Sequence, residues 1–157
     1  MPLSETAQKN YTRMFGDFPP PLADSDPEFT RLFLDFALDE VPSQTKLDDR
    51  THFLTVLAAL MGCQGLDCFQ AMAPAALRSG LSPVELKELV YQGTAYLGLG
   101  RVLPFLKAVN EALTAAGVPL PLEEQGTTDP DSRLEAGNQA QVDIFGTHMR
   151  GFQNSGP

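Results

Sequence analysis

Leu57-Ala58-Ala59-Leu60-Met61-Gly62-Cys63-Gln64-Gly65-Leu66 is the stretch on which the fold turns. Its first half closes a helix that starts near Asp48, carries early acids suited to the helix dipole, and becomes apolar on nearly every side. A segment of that kind is expected to lie central in a core. Gly62 and Gly65 then interrupt the periodicity, and a second helix is expected from about Leu66 to Ser79, with Pro74 predicting a kink or local break. Two helices joined by a short glycine turn make an antiparallel hairpin, around which the rest of the chain can pack.

Outward from this hairpin the helix signals continue and no strand pattern rises above them. Downstream, Ser82-Pro83-Val84-Glu85 combines an N-cap serine, a first-position proline and a capping-box glutamate, which predicts a helix to Leu97 with Gly98 as its stop. Another helix is expected from Val102 to Ala116, closed by Gly117, with Pro104 tolerated in its first turn. Upstream, Ser4 to Phe15 reads as a helix stopped by Gly16. Asp26-Pro27 opens a further one that Pro42 ends. On the latter, Phe29, Leu32, Phe33, Phe36 and Ala37 form one broad apolar stripe, read as core, or as an oligomer contact if exposed. The fold class is therefore all-α, a bundle of six to seven helices.

Two regions are expected, a helical domain over residues 1–125, and over 126–157 the end of a linker plus one more helix from about Asp131 to Phe145. The tail from Asn154 is expected to fray. The last helix ends Ile144-Phe145-Gly146 and the first ends Met14-Phe15-Gly16, so the end of the chain resembles the start of a second repeat.

Charge narrows the functional classes. Twenty acidic residues against 11 basic ones give a net charge of -9, with no Lys/Arg cluster, which speaks against nucleic acid and against a membrane surface as partners. Without a signal-peptide pattern the expected location is cytoplasmic. Two cysteines, Cys63 and Cys68, are too few for a disulfide framework and read either as buried filler or as a working thiol site. On one continuous helix they would point about 140° apart, so a bond between them requires Cys63 to lie in the turn. His52 is a candidate general base, or else a surface residue of a first helical turn. No metal-ligand spacing and no phosphate loop is visible, so neither metal nor cofactor is expected.

The ordered set Leu57 to Cys63, Ala71 to Leu77, Arg78-Ser79-Gly80, Leu81-Ser82-Pro83-Val84-Glu85 and Tyr91-Gln92-Gly93-Thr94-Ala95-Tyr96-Leu97-Gly98 resembles the carboxymuconolactone decarboxylase and alkyl hydroperoxidase D superfamily. Hydroperoxidase members carry Glu-x-x-Cys-x-x-Cys-x-x-x-His before the turn. In this register Cys68 matches the second cysteine, while Gly65, Gly62 and Met72 stand at the first cysteine, the glutamate and the histidine. The resemblance implies a homo-oligomer and a small-molecule substrate, a peroxide or a small organic acid. It implies a thiol peroxidase in which Cys68 reacts with peroxide and Cys63 resolves the product, or a lyase acting on a carboxylated lactone with Arg50 or Arg101 as anion partner. A non-catalytic lobe that assembles or binds is the third reading. Tyr96 matches the family tyrosine, placed in the site cleft or in the core with a bonded hydroxyl.

Overall fold

The structure, a computed structural model, describes residues 2–154, with side chains to residue 151; all regular elements among them are helical. They are α1 (Glu5–Phe15), α2 (Pro27–Asp35), a π turn (Phe36–Glu40), α3 (Val41–Gln44), α4 (Asp49–Gly62), α5 (Leu66–Arg78), α6 (Pro83–Leu97), α7 (Leu99–Ala115), α8 (Arg133–Phe145) and a 3₁₀ segment (Thr147–Asn154). Two compact units result, one running to Leu122 and one starting at Glu123. Of the tail expected to fray, Asn154 closes the 3₁₀ segment and residues 155–157 lie outside the described residues.

In the first unit, α4 to α7 pack around one core. Phe53, Leu57 and Met61 of α4 meet Phe69, Ala73 and Ala76 of α5, Leu86 and Val90 of α6, and Phe105, Val109 and Leu113 of α7. Phe69 and Phe105 touch edge to face, ring centroids 5.1 Å apart. Each such side chain, taken fully out of water, contributes roughly 1.5–3 kcal/mol. The helix starts follow from local chemistry. Asp48 accepts the Thr51 N–H at 2.7 Å, and Ser82 and Glu85 form the reciprocal capping box, with the Ser82 N–H donating to Glu85 at 2.9 Å.

Helix α1 is clamped to this frame by polar contacts. The Ser4 N–H donates to Asp35 and its hydroxyl to Asp39 at 2.7 Å; Arg13 pairs with Asp49, and the Arg78 guanidinium caps the Met14 carbonyl at the end of α1. Asn10 explains why Pro42 does not end the second helical stretch as expected. Proline brings no N–H for the Leu38 carbonyl four residues back, and the Asn10 amide donates to that carbonyl at 2.7 Å. The π turn widens the helix just ahead of the proline, and helical backbone continues to Gln44.

Four other expectations change. Helix α5 runs through Pro74 unbroken. Helix α7 begins at Leu99, directly after Gly98 at φ 81°, so Pro104 is its sixth residue and not in the first turn. Its missing N–H falls opposite Gly100, where both residues are exposed. Helix α4 is not enclosed. One stripe of it is buried, while Ala58 and Ala59 are exposed, because α5 and α6 cover only one side. Phe29, Leu32, Phe33 and Phe36 are likewise more than half exposed, which removes the core reading of the α2 stripe.

The second unit opens with a turn in which Asp129 accepts N–H bonds from Asp131 and Ser132, at 3.0 and 2.8 Å. Helix α8 and the 3₁₀ segment pack together behind it. Its terminus repeats that of α1. Gly16 and Gly146 both take positive φ, 69° and 104°, and each returns its N–H to the carbonyl four residues back at 2.8 Å.

Candidate active site at the turn between α4 and α5

Helix α4 closes at Gly62. Cys63 is its cap, Gln64 turns left-handed at φ 59°, and Gly65 opens α5. The Gly65 N–H reaches the Leu60 carbonyl at 2.8 Å and the Gln64 N–H reaches Met61 at 3.2 Å, the Schellman pattern of helix ends. The same pair of bonds closes α5 at Gly80 and α7 at Gly117. Glycine takes the left-handed place in those two; glutamine takes it here, at a conformational cost of about 1–2 kcal/mol. The Gln64 side chain offsets part of this by donating to the Met61 carbonyl at 2.7 Å.

Both cysteines are exposed free thiols, so neither is buried filler. Cys63 lies in the turn that follows α4. Its S–H donates to the Leu60 carbonyl at 3.5 Å. Cys68 is the third residue of α5, counted from Leu66. Gly65 is the N-cap of that helix, the position whose side chain ordinarily reaches the third residue. A Cβ built on Gly65 would lie 3.4 Å from the Cys63 sulfur. The Cys63 thiol thus stands in the space beside the N-cap, where the side chain of residue 65 would begin.

The other singled-out residues are dispersed. His52 lies eleven residues before Cys63 on the same helix, about 16 Å along the axis, edge-on to Phe53, and is not brought to the thiols. Met72 is half-buried against the core one turn beyond Cys68. Arg50 is paired with Glu85, whose carboxyl is held below the usual range by the Ser82 backbone N–H, by Arg50 and by the Ser82 hydroxyl. Tyr96 is exposed, so its reading as a core residue with a bonded hydroxyl does not hold.

Tyr96 instead forms part of a groove of about 310 Å³ between α4 and α6, with Ala58, Met61, Gly62, Leu89, Gln92, Gly93 and Leu97. Gly93 faces the Met61 methyl, which would have to move aside for a Cβ at that position. Gly62, at one end of the groove, is the residue directly before Cys63.

The family model for the carboxymuconolactone decarboxylase family matches residues 27–111, more than half of the chain. The chain belongs to the carboxymuconolactone decarboxylase family. No curated protein matches it significantly. The matched span runs from α2 into α7 and contains the thiol turn and the whole groove. Gly62 lines the groove and, with no side chain, leaves that part of its wall open. Among the described residues no cluster of three or more His, Cys, Asp or Glu could hold a metal, and no helix is long and apolar enough to cross a membrane. The sequence reading missed Ala58, Leu89 and Gln92 as site residues. The one available signal was the all-round apolarity of α4, which left an uncovered side.

Proposed function

We propose that this carboxymuconolactone decarboxylase family protein is a thiol-dependent peroxidase. The observation that carries the reading is the placement of two exposed thiols at one helix junction, with the Cys63 sulfur in the space beside Gly65. Cys68 stands in the first turn of α5 with its thiol open to solvent, where a peroxide can reach it. In the reaction the Cys68 thiolate attacks one peroxide oxygen and the O–O bond breaks. The other oxygen leaves as alcohol or water after taking a proton. Cys63 then attacks the sulfenic sulfur, expels water and closes a disulfide, which an external dithiol reduces back to two thiols. Such a cycle suits a reducing compartment, which agrees with a cytoplasmic location.

The lyase reading finds no comparable support, since Arg50 is engaged by Glu85 and no cation lines the groove. The protein works as a homo-oligomer in this proposal, supported by the exposed aromatic stripe of α2 and the uncovered apolar side of α4.

The test is one equivalent of hydrogen peroxide on the reduced protein, followed by intact mass. Loss of two hydrogens in the wild type, absent in Cys63→Ser and in Cys68→Ser, is the expected result. An unchanged mass with both thiols still titratable would overturn the proposal.

A further inference from the structure

Helices α4, α5 and α7 end in the same bonded turn, at Gln64, Gly80 and Gly117. Each turn needs a left-handed residue, and two of them have glycine there, at φ 98° and 75°. The third has Gln64, at φ 59°, between the two thiols. A side chain at such a position strains the backbone, so the turn persists only where other bonds hold it. Here three consecutive residues reach back to the last carbonyls of α4. The Gln64 amide donates to the Met61 carbonyl at 2.7 Å, the Gly65 N–H to the Leu60 carbonyl at 2.8 Å, and the Cys63 S–H to the same Leu60 carbonyl at 3.5 Å. Both cysteines are free in this arrangement, so the turn as it stands is the dithiol form. One of its bonds cannot outlive oxidation, because a Cys63 sulfur joined to Cys68 has no hydrogen to donate.

We infer that Gln64 is a positioning residue of the thiol site: its turn keeps Cys63 on the end of α4 and so biases the pair toward two thiols over a disulfide. The inference rests on the proposed pairing of Cys63 with Cys68 and adds what regulates it. Bonding to Cys68 takes the Cys63 sulfur from the Leu60 carbonyl to a residue of the next helix, against the turn. Reduction restores the S–H and with it the bond to Leu60. The stronger the turn, the further the equilibrium lies toward the dithiol. Two substitutions at residue 64 separate the turn from the amide that ties it. Leucine, close to glutamine in size, keeps the steric cost of the left-handed backbone and loses the tie to Met61, so the turn weakens. Glycine loses the tie as well, yet adopts φ 59° without that cost, so the turn holds. A role in folding alone would weaken the dithiol and disulfide forms alike, and a loss shared by both leaves their equilibrium unmoved.

The experiment places the full chain in glutathione buffers of graded reduced-to-oxidised ratio at one pH, followed by acid quenching and intact mass. The exchange balances: two reduced glutathione molecules give two hydrogens to the protein sulfurs as the S–S bond breaks, and leave joined as one oxidised glutathione. The disulfide form is therefore lighter than the dithiol by two hydrogens. Gln64→Leu is expected to favour the disulfide about tenfold over the wild type, while Gln64→Gly stays within about threefold of it. Equal constants for the three proteins, a shift of Gln64→Leu toward the thiols, or a glycine variant that moves as far as the leucine one would each overturn the inference. So would a wild type that forms no disulfide at any ratio. Failure of the peroxidase reading registers separately, as an unchanged mass of the wild type under hydrogen peroxide. A wild type that does lose two hydrogens to peroxide while the three glutathione constants coincide leaves that reading standing and removes Gln64 alone.

Discussion

The sulfur of Cys63 lies 3.4 Å from the point at which a side chain on Gly65 would begin. Both residues flank the left-handed Gln64, and Gly65 caps the helix that carries Cys68. A thiol from outside α5 has thereby come to the N-cap of α5.

Gly65→Ala tests this arrangement directly. The added methyl would sit 3.2 Å from a Leu60 methyl and 3.4 Å from the Cys63 sulfur, so the Leu60 side chain must shift by a few tenths of an ångström. Alanine is also a poorer N-cap than glycine. A loss of about 1 kcal/mol in urea unfolding is expected, together with slower closure of the Cys63–Cys68 disulfide under peroxide. Unchanged closure would show that the sulfur does not need that space.

Gln64→Gly is expected to act in the opposite direction. Glycine adopts φ 59° without the steric cost that glutamine bears, while the bond from the Gln64 side chain to Met61 is lost. The first effect, about 1–2 kcal/mol, exceeds the second, about 0.5–1.5 kcal/mol for a hydrogen bond near the surface. Removal of a glycine-free turn also loosens the unfolded chain, so the net gain is small, under about 1 kcal/mol. A lower urea midpoint for Gln64→Gly would mean that the side-chain bond to Met61 outweighs the backbone strain.

Glu85 gives the first unit a pH dependence of defined sign. Its carboxyl is depressed in the fold by the Ser82 backbone N–H first, then by Arg50 and the Ser82 hydroxyl. A depressed carboxyl stabilises the folded state above its unfolded pKa, and that contribution disappears as the pH falls through the folded value. Urea midpoints are therefore expected to fall on acidification below the ordinary carboxylate range, and to fall less in Glu85→Gln. Asp48, depressed mainly by its bonds to Thr51, keeps part of the slope in that variant. Identical acid slopes for Glu85→Gln and wild type would remove Glu85 from this account.

The helix boundaries that were legible in the sequence are those set within a few residues. Ser82-Pro83-Val84-Glu85, Asp48, Gly80 and Gly117 fix their helix ends by bonds to neighbours in the chain, and each stands where the local pattern puts it. What depends on distant partners was not legible. Pro42 reads as a stop until Asn10, 32 residues away, is seen to take the carbonyl that the proline leaves free. The α4 helix reads as central because its composition is apolar all round, yet which side is covered depends on where α5 and α6 dock. The cysteines could be named as a pair, whereas their exposure and the position of one sulfur beside Gly65 belong to the turn in three dimensions. The groove belongs to the gap between two helices and has no local signature at all.

The stripe on α2 leads to the last expectation. Phe29 and Phe33 stack with centroids 6.0 Å apart, and with Leu32 and Phe36 they form a contiguous exposed apolar face. The buried side of that helix is carried by Thr30 and Leu34. A face of this kind is left open in water only at a cost, and covering it with the same face of a second copy removes it from solvent on both chains at once. Phe33→Glu places a charge at the middle of the stripe. Two such charges brought together across a symmetric contact repel and lose hydration, so an oligomer built on this face, as proposed above, is expected to dissociate. Because Phe33 is more than half exposed in the single chain, helix content by circular dichroism is expected to stay at the wild-type value. Sedimentation velocity at micromolar concentration separates the outcomes. A shift from oligomer to monomer with helix content intact assigns the stripe to the interface. An oligomer that survives Phe33→Glu would assign the contact elsewhere, with the uncovered side of α4 as the next surface to substitute.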